Sequence, residues 1–351
     1  MHIALVAASL DILGGHGVQA NALMQGLRSD GYTVSFIPIN PRFPAGLRWL
    51  RRYPVVRTGL NQLLYLPSLL RLRQADVVHV FSASYWSFLL GPVPAILAAR
   101  AWRARVVLHY HSGEAEDHLA RWGVLVHPWL RLVDEIVVPS SYLRDVFARF
   151  GYRARVIPNV VDTARFRYRD RMPLAPRLLS TRNLEPYYRV DIVIEALALL
   201  MPQYPRAALT VVGLGSEETR LRRLARSLAL DVRFLGRVEP AAMPAVCDQA
   251  DIFVNASVVD NQPISILEAL AAGLPVVSTG TGDIAAMVRD GETGSIVPPQ
   301  DPAAIAKAIS SLLENSERAL LMARRAREEV DRYTWPRVRT QWATVYTGNA
   351  A

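Results

Sequence analysis

Two carboxylates and a proline stand in the segment Asp260–Pro275, which directly follows an apolar, strand-like run. Pro263 suits the first turn of a helix, where its missing N–H costs nothing, and the spacing predicts a helix over Ile264–Ala272. Asp260 precedes that helix, and Glu268 lies within about two of its turns. Because a helix N-terminus presents unpaired amides and partial positive charge, the segment predicts a seat for a phosphate or carboxylate. The plainer alternative is an ordinary strand–loop–helix connection with a solvated aspartate.

Glycines follow several of the strand-like runs. Gly14 and Gly15 stand between the first strand and the helix predicted to begin at Val18, where a backbone without side chains can approach a phosphate or sugar closely. The spacing does not match the dinucleotide-binding GxGxxG pattern. Gly213 and the run 235–238, which ends at Val238, also follow strands, and glycine there is equally typical of simple turns.

Two histidines, His109 and His111, end the fourth strand-like run. Taking strand alternation to turn them toward opposite faces, we expect at most one of them to face a shared ligand. No third histidine or cysteine stands nearby in the sequence, so we expect no metal site there. A structural histidine without a ligand is the usual alternative for each.

Short β-rich runs alternate with helical patterns along the whole chain, which indicates parallel sheets joined by helices. The predicted strands are 2–7, 32–37, 76–81, 105–110 and 134–139 in the first half, and 177–181, 208–213, 232–236, 251–255, 275–279 and 294–298 in the second. The predicted helices are 18–28, 142–150, 192–200, 217–228, 240–249 and 303–313. Two doubly wound domains follow, and we expect their boundary in the proline- and arginine-rich stretch 162–176.

The length of 351 residues suits two domains, and the composition is that of a globular protein: 51% of residues are hydrophobic and 20% charged. A single cysteine, Cys247, excludes a disulfide framework and favours a reducing compartment. We see no cleavable signal and no apolar run of the roughly 20 residues that a membrane span needs. The net charge of +9 is uneven, because residues 1–175 carry +10 and residues 176–351 carry −1. This asymmetry indicates a polyanionic partner for the first half.

One first-half segment, Pro41–Arg73, breaks the alternation of strands and helices. It holds seven arginines interleaved with aromatic and aliphatic residues, among them Arg48, Trp49, Arg51 and Arg52. Such a mixture is typical of a helix that lies on an anionic membrane surface. The alternative is a helix packed on its own sheet with solvated arginines, and the four prolines of the segment interrupt any long helix. No aromatic–basic motif typical of nucleic-acid binding is present, so we expect no nucleic-acid partner.

The order of these motifs resembles the retaining glycosyltransferases of family 4. The resemblance covers nearly the whole chain and is most specific in residues 178–300. It implies the α/β fold called GT-B, in which two Rossmann-like, doubly wound parallel-sheet domains face a central cleft. The implied limits are 1–170 for the acceptor-side domain, 171–332 for the nucleotide-sugar-binding domain, and 333–351 for a last helix that returns to the first domain.

The resemblance also implies roles for particular residues. Asp260 and Glu268 match the two acids of the family, although the family usually has glutamate at both positions. Arg182 matches a cation that clasps the donor diphosphate. The family has a Lys-Gly pair a few residues further on, whose lysine corresponds either to Tyr188 or, with a slip of one residue, to Arg189. The implied catalytic residues are Asp260, Glu268, His111 and Arg182. The implied donor-binding residues are Gly14, Gly15, Arg182, Arg189, Gly213, Val238, Pro263, Ile264, Ser265 and Glu268.

Function follows from the same resemblance. We expect a hexosyltransferase that uses a nucleotide-sugar, with a UDP-sugar favoured and GDP-mannose as the alternative, and that needs neither a metal nor a further cofactor. The expected acceptor is a lipid-linked or polysaccharide molecule of the cell envelope, met by a cytoplasmic enzyme on the inner face of the plasma membrane. Two alternatives are a non-catalytic nucleotide-sugar-binding or scaffold homologue, and a nucleotide-sugar epimerase of similar architecture.

Overall fold

The computed structural model describes residues 1–10 and 14–348 of the chain. Its contacts divide the chain into two compact units. Unit 1 consists of Met1–Pro158 together with the chain from Val338 onward, and unit 2 consists of Asn159–Arg337. Each unit is an α/β domain built on one parallel sheet of six described strands.

Unit 1 contains the first half of the predicted strands. Its strands are β1 (His2–Ala7), β2 (Thr33–Pro38), β3 (Val77–Ser82), β4 (Arg105–Tyr110), β5 (Glu135–Val138) and β6 (Arg155–Val156). Its helices are α1 (Gly15–Ser29), α2 (Pro54–Ser68), α3 (Trp86–Leu90), α4 (Pro92–Ala101), α5 (Ala115–Arg121), α6 (Gly123–Leu130) and α7 (Ser141–Arg149). The strands lie in the order β2-β1-β3-β4-β5-β6, and every residue of β3 is buried because helices cover both sheet faces.

Unit 2 repeats the architecture with its own core. Its strands are β7 (Arg177–Thr181), β8 (Ala208–Val212), β9 (Val232–Gly236), β10 (Ile252–Asn255), β11 (Val276–Thr279) and β12 (Ser295–Val297). Its helices are α8 (Val190–Leu200), α9 (Glu218–Ser227), α10 (Met243–Asp248), α11 (Ile264–Ala271), α12 (Ile284–Met287), α13 (Pro302–Glu314) and α14 (Ser316–Glu329). The last helix, α15, is Trp335–Thr347, and its residues from Val338 group with unit 1.

The strand order of unit 2 is β12-β11-β10-β7-β8-β9, so the direction of winding reverses between β7 and β10. These two strands pair in parallel, with Ile252 opposite Leu178 and Phe253 opposite Leu179. In open parallel sheets, ligands bind beyond the carboxyl ends of the strands at such a reversal. The topology therefore directs attention to the residues that follow β7 and β10.

The boundary between the units lies earlier than the stretch 162–176 and the limit 170/171 expected from sequence. Residues from Asn159 group with unit 2, and their side chains explain why. The buried Arg171 donates hydrogen bonds to the backbone carbonyls of Ala250, Cys247 and Ala272 at 2.7–3.1 Å. Arg169 bonds Asp248 at 3.1 Å. This arginine-rich run is therefore part of the domain and not a solvated linker. The expected terminal helix 333–351 includes residues 349–351, which lie outside the described residues.

The arginine-rich segment 41–73 forms two 3₁₀ stretches, Ala45–Arg52 and Leu69–Gln74, on either side of α2. Pro54 begins α2, and Pro67 stands in its last turn. Within residues 1–10 and 14–348, no helix is both long enough and apolar enough to cross a bilayer.

Candidate functional site

Arg182 and Asp260 come together at the reversal point of the unit 2 sheet. Arg182 directly follows β7, and Asp260 lies in the loop that joins β10 to α11. The guanidinium Nη2 of Arg182 donates to Oδ2 of Asp260 in an ion pair whose two side chains are each 9% exposed. Nη1 of Arg182 also donates to the hydroxyl of Ser265, in the first turn of α11, at 3.1 Å. The structure thus brings three predicted site residues into direct contact.

The carboxylate of Asp260 is held by its own loop as well as by Arg182. Oδ2 accepts a hydrogen bond from the Ser257 hydroxyl at 2.9 Å, and Oδ1 accepts one from the Asn261 backbone N–H at 3.0 Å. The loop is fixed in turn by Asn159, whose backbone N–H and side-chain amide donate to Gln262 at 2.6 and 2.8 Å. Ser257 and Gln262 are not among the predicted site residues, although polar residues around a strand end are a signal for them.

Helix α11 begins at Ile264, as the sequence predicts, but Pro263 precedes its first turn instead of lying in it. Pro263 has an extended backbone (ψ 123°) and is the N-cap, and Ile264 is the first helical residue. Ile264 and Ser265 therefore form the first turn, which presents its amide groups at the helix end. This end of α11 can receive an anion beside Arg182.

Glu268 lies one turn further along α11, in a largely buried place. Burial raises the pKa of its carboxyl to about 7, an effect that the positive charge of Arg165 opposes. Among the described residues, no side chain or backbone group forms a hydrogen bond with this carboxylate. A buried acid without a protein partner is suited to accept hydrogen bonds from a ligand.

Close backbone approaches require glycine next to Arg182. A Cβ on Gly213 (φ +141°) would lie 2.1 Å from the backbone oxygen of Arg182, and one on Gly215 would lie 2.3 Å from the backbone oxygen of Leu184. The Gly213 N–H donates to the Gly236 carbonyl at 2.9 Å, which ties together the loops that follow β8 and β9. Gly213 thus allows the loop after β8 to pack on the loop of Arg182. Val238 lies in the loop after β9, packed against the apolar core of unit 2.

Arg189 and Arg182 bind different carboxylates. Nε and Nη2 of Arg189 donate to the two carboxylate oxygens of Asp191 at 3.0 and 3.3 Å, and Arg220 joins the same carboxylate at 3.1 Å. Tyr188 makes a cation–π contact with Arg182, and its ring centroid lies 4.2 Å from the guanidinium carbon. Arg189 is therefore held by an acid other than Asp260.

In unit 1, the predicted residues gather at the carboxyl ends of β1 and β4. Gly14 is the N-cap of α1, and Gly15 is its first residue. His16, in the first turn of α1, contacts His111 with ring centroids 5.0 Å apart. Burial lowers the pKa of His16 to about 4, and burial together with neighbouring imidazoles holds the pKa of His111 well below its usual range. Both rings are neutral at pH 7 and can accept or donate hydrogen bonds.

The expectation that His109 and His111 point to opposite faces is wrong. Their ring centroids are 4.0 Å apart, because residues two positions apart along a strand share a face. Nδ1 of His109 is 3.2 Å from Nε2 of His79, and Nδ1 of His79 is 2.9 Å from the hydroxyl of Tyr346 in α15. Within the described residues, no group of three or more histidine, cysteine or acidic side chains is arranged to hold a metal ion.

Comparison with protein-family models identifies both halves of the chain. The model of the glycosyl transferases group 1 matches residues 173–329, and the model of glycosyltransferase family 4 matches residues 13–165. A phosphatidyl-myo-inositol mannosyltransferase of Mycolicibacterium smegmatis is 27% identical and covers 99% of this chain and 93% of its own. A glycogen synthase of Mycobacterium tuberculosis is 32% identical over 77% of this chain and 68% of its own.

Solved structures show the same fold at lower identity. Anabaena HepE in complex with UDP-glucose has a TM-score of 0.77 and 18% identity over 99% of this chain and 100% of its own. Sucrose-phosphate synthase from Thermosynechococcus elongatus has a TM-score of 0.80 and 20% identity, with 99% of this chain and 98% of its own covered. The predicted fold class, GT-B with two Rossmann-like parallel-sheet domains, is confirmed. The chain belongs to the glycosyltransferases of family 4.

Proposed function

We propose that this protein is a retaining hexosyltransferase that moves a sugar from a nucleotide-sugar to a lipid-linked or saccharide acceptor. The observation that carries the proposal is the contact of Arg182 with Asp260 and Ser265 at the N-terminal end of α11. Glu268 lies further along the same helix, with a carboxylate that accepts no hydrogen bond from the described residues. The site combines positive charge for a diphosphate with carboxylates for sugar hydroxyls.

The chemistry asks the protein to stabilise a departing diphosphate while the sugar becomes oxocarbenium-like. Arg182 and the amides of the first turn of α11 would supply preorganised positive potential for that charge. We assign Glu268 to the ribose hydroxyls, and Asp260 and His111 to the sugar, as the family resemblance implies. Retention would follow from attack on the face from which the diphosphate leaves, with the leaving phosphate taking the proton of the acceptor. This scheme needs no metal ion and no further cofactor.

The donor is a UDP- or GDP-linked hexose in this proposal, and the relatives support different bases. The family resemblance favours a UDP-sugar, and the structural neighbour HepE is in complex with UDP-glucose. The relatives named mannosyltransferases favour mannose, and one that is 32% identical over 73% of this chain is named GDP-mannose-dependent. The same names favour a glycolipid acceptor, which agrees with the expected role in cell-envelope or exopolysaccharide synthesis.

Binding and transfer measurements test the proposal directly. The wild-type chain should be stabilised thermally by UDP- or GDP-sugars, and it should release the nucleoside diphosphate when an acceptor is present. Arg182→Ala should lower turnover and Glu268→Gln should weaken nucleotide binding, each about 10- to 100-fold, since each removes one charge-assisted hydrogen bond. The matched controls are Arg325→Ala and Glu328→Gln on the exposed side of α14. Equal kinetics in site and control variants would refute the assignment, and tight binding without turnover would indicate the non-catalytic alternative.

We also propose that unit 1 docks on an anionic membrane from the cytoplasmic side, through a basic–apolar surface formed by residues 42–73. Residues 31–75 include no acid, whereas seven arginines stand between 42 and 73. Large apolar side chains of this surface face solvent, since Trp49 is 56%, Val55 85% and Leu63 71% exposed. The guanidinium of Arg52 lies 5.3 Å from the Trp49 ring centroid and 4.9 Å from that of Tyr53, which places cations beside rings that suit a lipid interface.

Vesicle sedimentation tests this docking. Because each arginine near an anionic surface contributes about 1 kcal/mol, the change of Arg48, Arg51 and Arg52 to Ser should weaken binding roughly 100-fold. The matched control changes three exposed arginines elsewhere on unit 1 to Ser, so that both triple variants have the same net charge. These arginines are Arg121, Arg144 and Arg153. Equal partitioning onto neutral and anionic vesicles, or equal losses in both triple variants, would refute the proposed surface.

A further inference from the structure

The backbone at Arg189 decides which residue replaces the Lys-Gly pair of the family. Arg189 has φ +48° and ψ 45°, the left-handed conformation that glycine adopts without strain. Arg189 therefore stands in the place of the glycine, and Tyr188 stands in the place of the lysine. A neutral aromatic side chain thus replaces a cation of the diphosphate seat.

The guanidinium of Arg189 does not compensate for that lost charge. Both of its bonded nitrogens face the carboxylate of Asp191, which Arg220 also neutralises. Asp191 is thus paired with two cations, Arg189 and Arg220, whereas Asp260 is paired with Arg182. Arg182 is thus the cationic side chain that contacts the first turn of α11 directly, through Ser265.

Tyr188 instead fixes the orientation of Arg182. Its ring lies against one face of the guanidinium, at 4.2 Å, while Asp260 and Ser265 bind the edge of that group. The ring is itself supported by Tyr187, whose centroid is 4.5 Å away and whose carbonyl accepts a hydrogen bond from the Val258 N–H at 2.9 Å. Face and edge of the guanidinium are therefore both restrained before any ligand arrives.

Arg182 retains one unused donor. Its Nε–H is buried and has no hydrogen-bond partner among the described residues. Buried donors are nearly always satisfied in native proteins, so this one needs an acceptor that the described residues do not supply. An anionic ligand that draws the guanidinium toward itself would satisfy it.

We propose that Tyr188 is a positioning residue that holds Arg182 as the single side-chain cation for the donor diphosphate, with Arg189 taking no part. The inference rests on the proposed function, because it names the group that Arg182 binds. A lysine at position 188 would add charge but would repel Arg182, whereas the aromatic ring attracts the guanidinium and restrains it. The site thus has one restrained cation, Arg182, in place of the two cations of the family.

Calorimetry on the full chain can isolate this effect by comparing nucleoside diphosphates with monophosphates. The ratio of the Kd for UMP to that for UDP, or for GMP to that for GDP, measures what the second phosphate contributes. Arg182→Gln should reduce this ratio toward one. Tyr188→Leu should reduce it about 3- to 10-fold, as expected from the loss of a partly buried cation–π contact. Tyr188→Phe, which keeps the ring, should leave it within about twofold of the wild type.

Arg189→Gly provides the opposite comparison, because glycine suits the left-handed backbone while the charge is removed. It should leave the ratio within about twofold of the wild type. Melting temperatures show whether each variant is folded. If Tyr188→Leu does not fold, Tyr188→Met takes its place. A full ratio in folded Tyr188→Leu, or a loss in Arg189→Gly equal to that in Arg182→Gln, would overturn the inference. A wild-type chain that binds neither diphosphate more tightly than its monophosphate would overturn the proposed function itself.

Discussion

The pKa of Glu268 makes nucleotide-sugar binding a measurable function of pH. Burial raises the pKa of this carboxyl from 4.5 to about 7, against the opposing charge of Arg165. An ionised carboxylate accepts stronger hydrogen bonds from ribose hydroxyls than a protonated carboxyl, which turns one of its oxygens into a donor, so binding selects the ionised form. The affinity should therefore rise with pH, and binding below pH 7 should release a proton.

The size of the effect follows from the titration. With a pKa of about 7, roughly one-tenth of Glu268 is ionised at pH 6 and roughly nine-tenths at pH 8. The Kd of the nucleotide-sugar should then be about 10-fold higher at pH 6 than at pH 8. The same shift acts on stability, because the folded state binds this proton more tightly than the unfolded state. The contribution of Glu268 to the free energy of unfolding should fall as pH rises from about 4.5 to 7, by about 3 kcal/mol in total.

Titration calorimetry with UDP-glucose and GDP-mannose between pH 6 and 8 tests this reasoning. The diphosphate diester of a nucleotide-sugar does not titrate in that range, so the slope reports the protein. Glu268→Gln should give a flat profile and, above pH 7, a higher melting temperature than the wild type. Glu328→Gln, an exposed control, should keep the wild-type slope. A flat profile for the wild-type chain would refute the role of Glu268 as an ionised acceptor.

Three further variants probe the same architecture. Asp260→Asn removes the acid of a buried ion pair, so it should lower the free energy of unfolding by about 3 kcal/mol, which a lower melting temperature would show. The same change frees Arg182 and should tighten the binding of a nucleoside diphosphate; weaker binding in calorimetry would contradict this. Gly282 has φ +62°, and a Cβ added there would lie 2.4 Å from the Asp260 carbonyl oxygen. Gly31 has φ +85° with open space around it, so Gly31→Ala should lower the free energy of unfolding by roughly 1 kcal/mol and Gly282→Ala by more. Equal melting temperatures of the two variants would count against a steric role of Gly282. Tyr346→Phe leaves Nδ1 of the buried His79 ring without its hydroxyl partner, so it should lower the free energy of unfolding in urea by about 1–3 kcal/mol; an unchanged midpoint would disprove this.

Buried parallel strands are the part of this fold that the sequence predicts well. Runs such as Val77–Ser82 are mostly apolar because helices cover both sheet faces, and this pattern needs no knowledge of distant residues. Helix ends are predicted within a few residues for the same local reason. The short strand Arg155–Val156 escapes prediction, because two residues give no periodic pattern.

Residues whose partners are distant in sequence are predicted less well. Arg171 lies in a stretch with the composition of a linker, yet its guanidinium donates hydrogen bonds to backbone carbonyls 76 and 101 positions further along the chain. His79 was not among the predicted residues, because its hydroxyl partner Tyr346 is 267 positions away. In such cases the residue type is visible in the sequence, but the contact that gives it a role is created by the fold.

Arg182 and Asp260 show how topology converts predicted residues into a site with a different charge. They are 78 residues apart, and they meet because the order of strands reverses between β7 and β10. From the sequence, Arg182 is expected to bind phosphate and Asp260 is expected to bind sugar, each independently of the other. Their ion pair makes the pair of side chains formally neutral before the donor binds. The diphosphate must then compete with Asp260 for the same guanidinium, so the restraint that Tyr188 places on Arg182 matters more than it would beside a free cation.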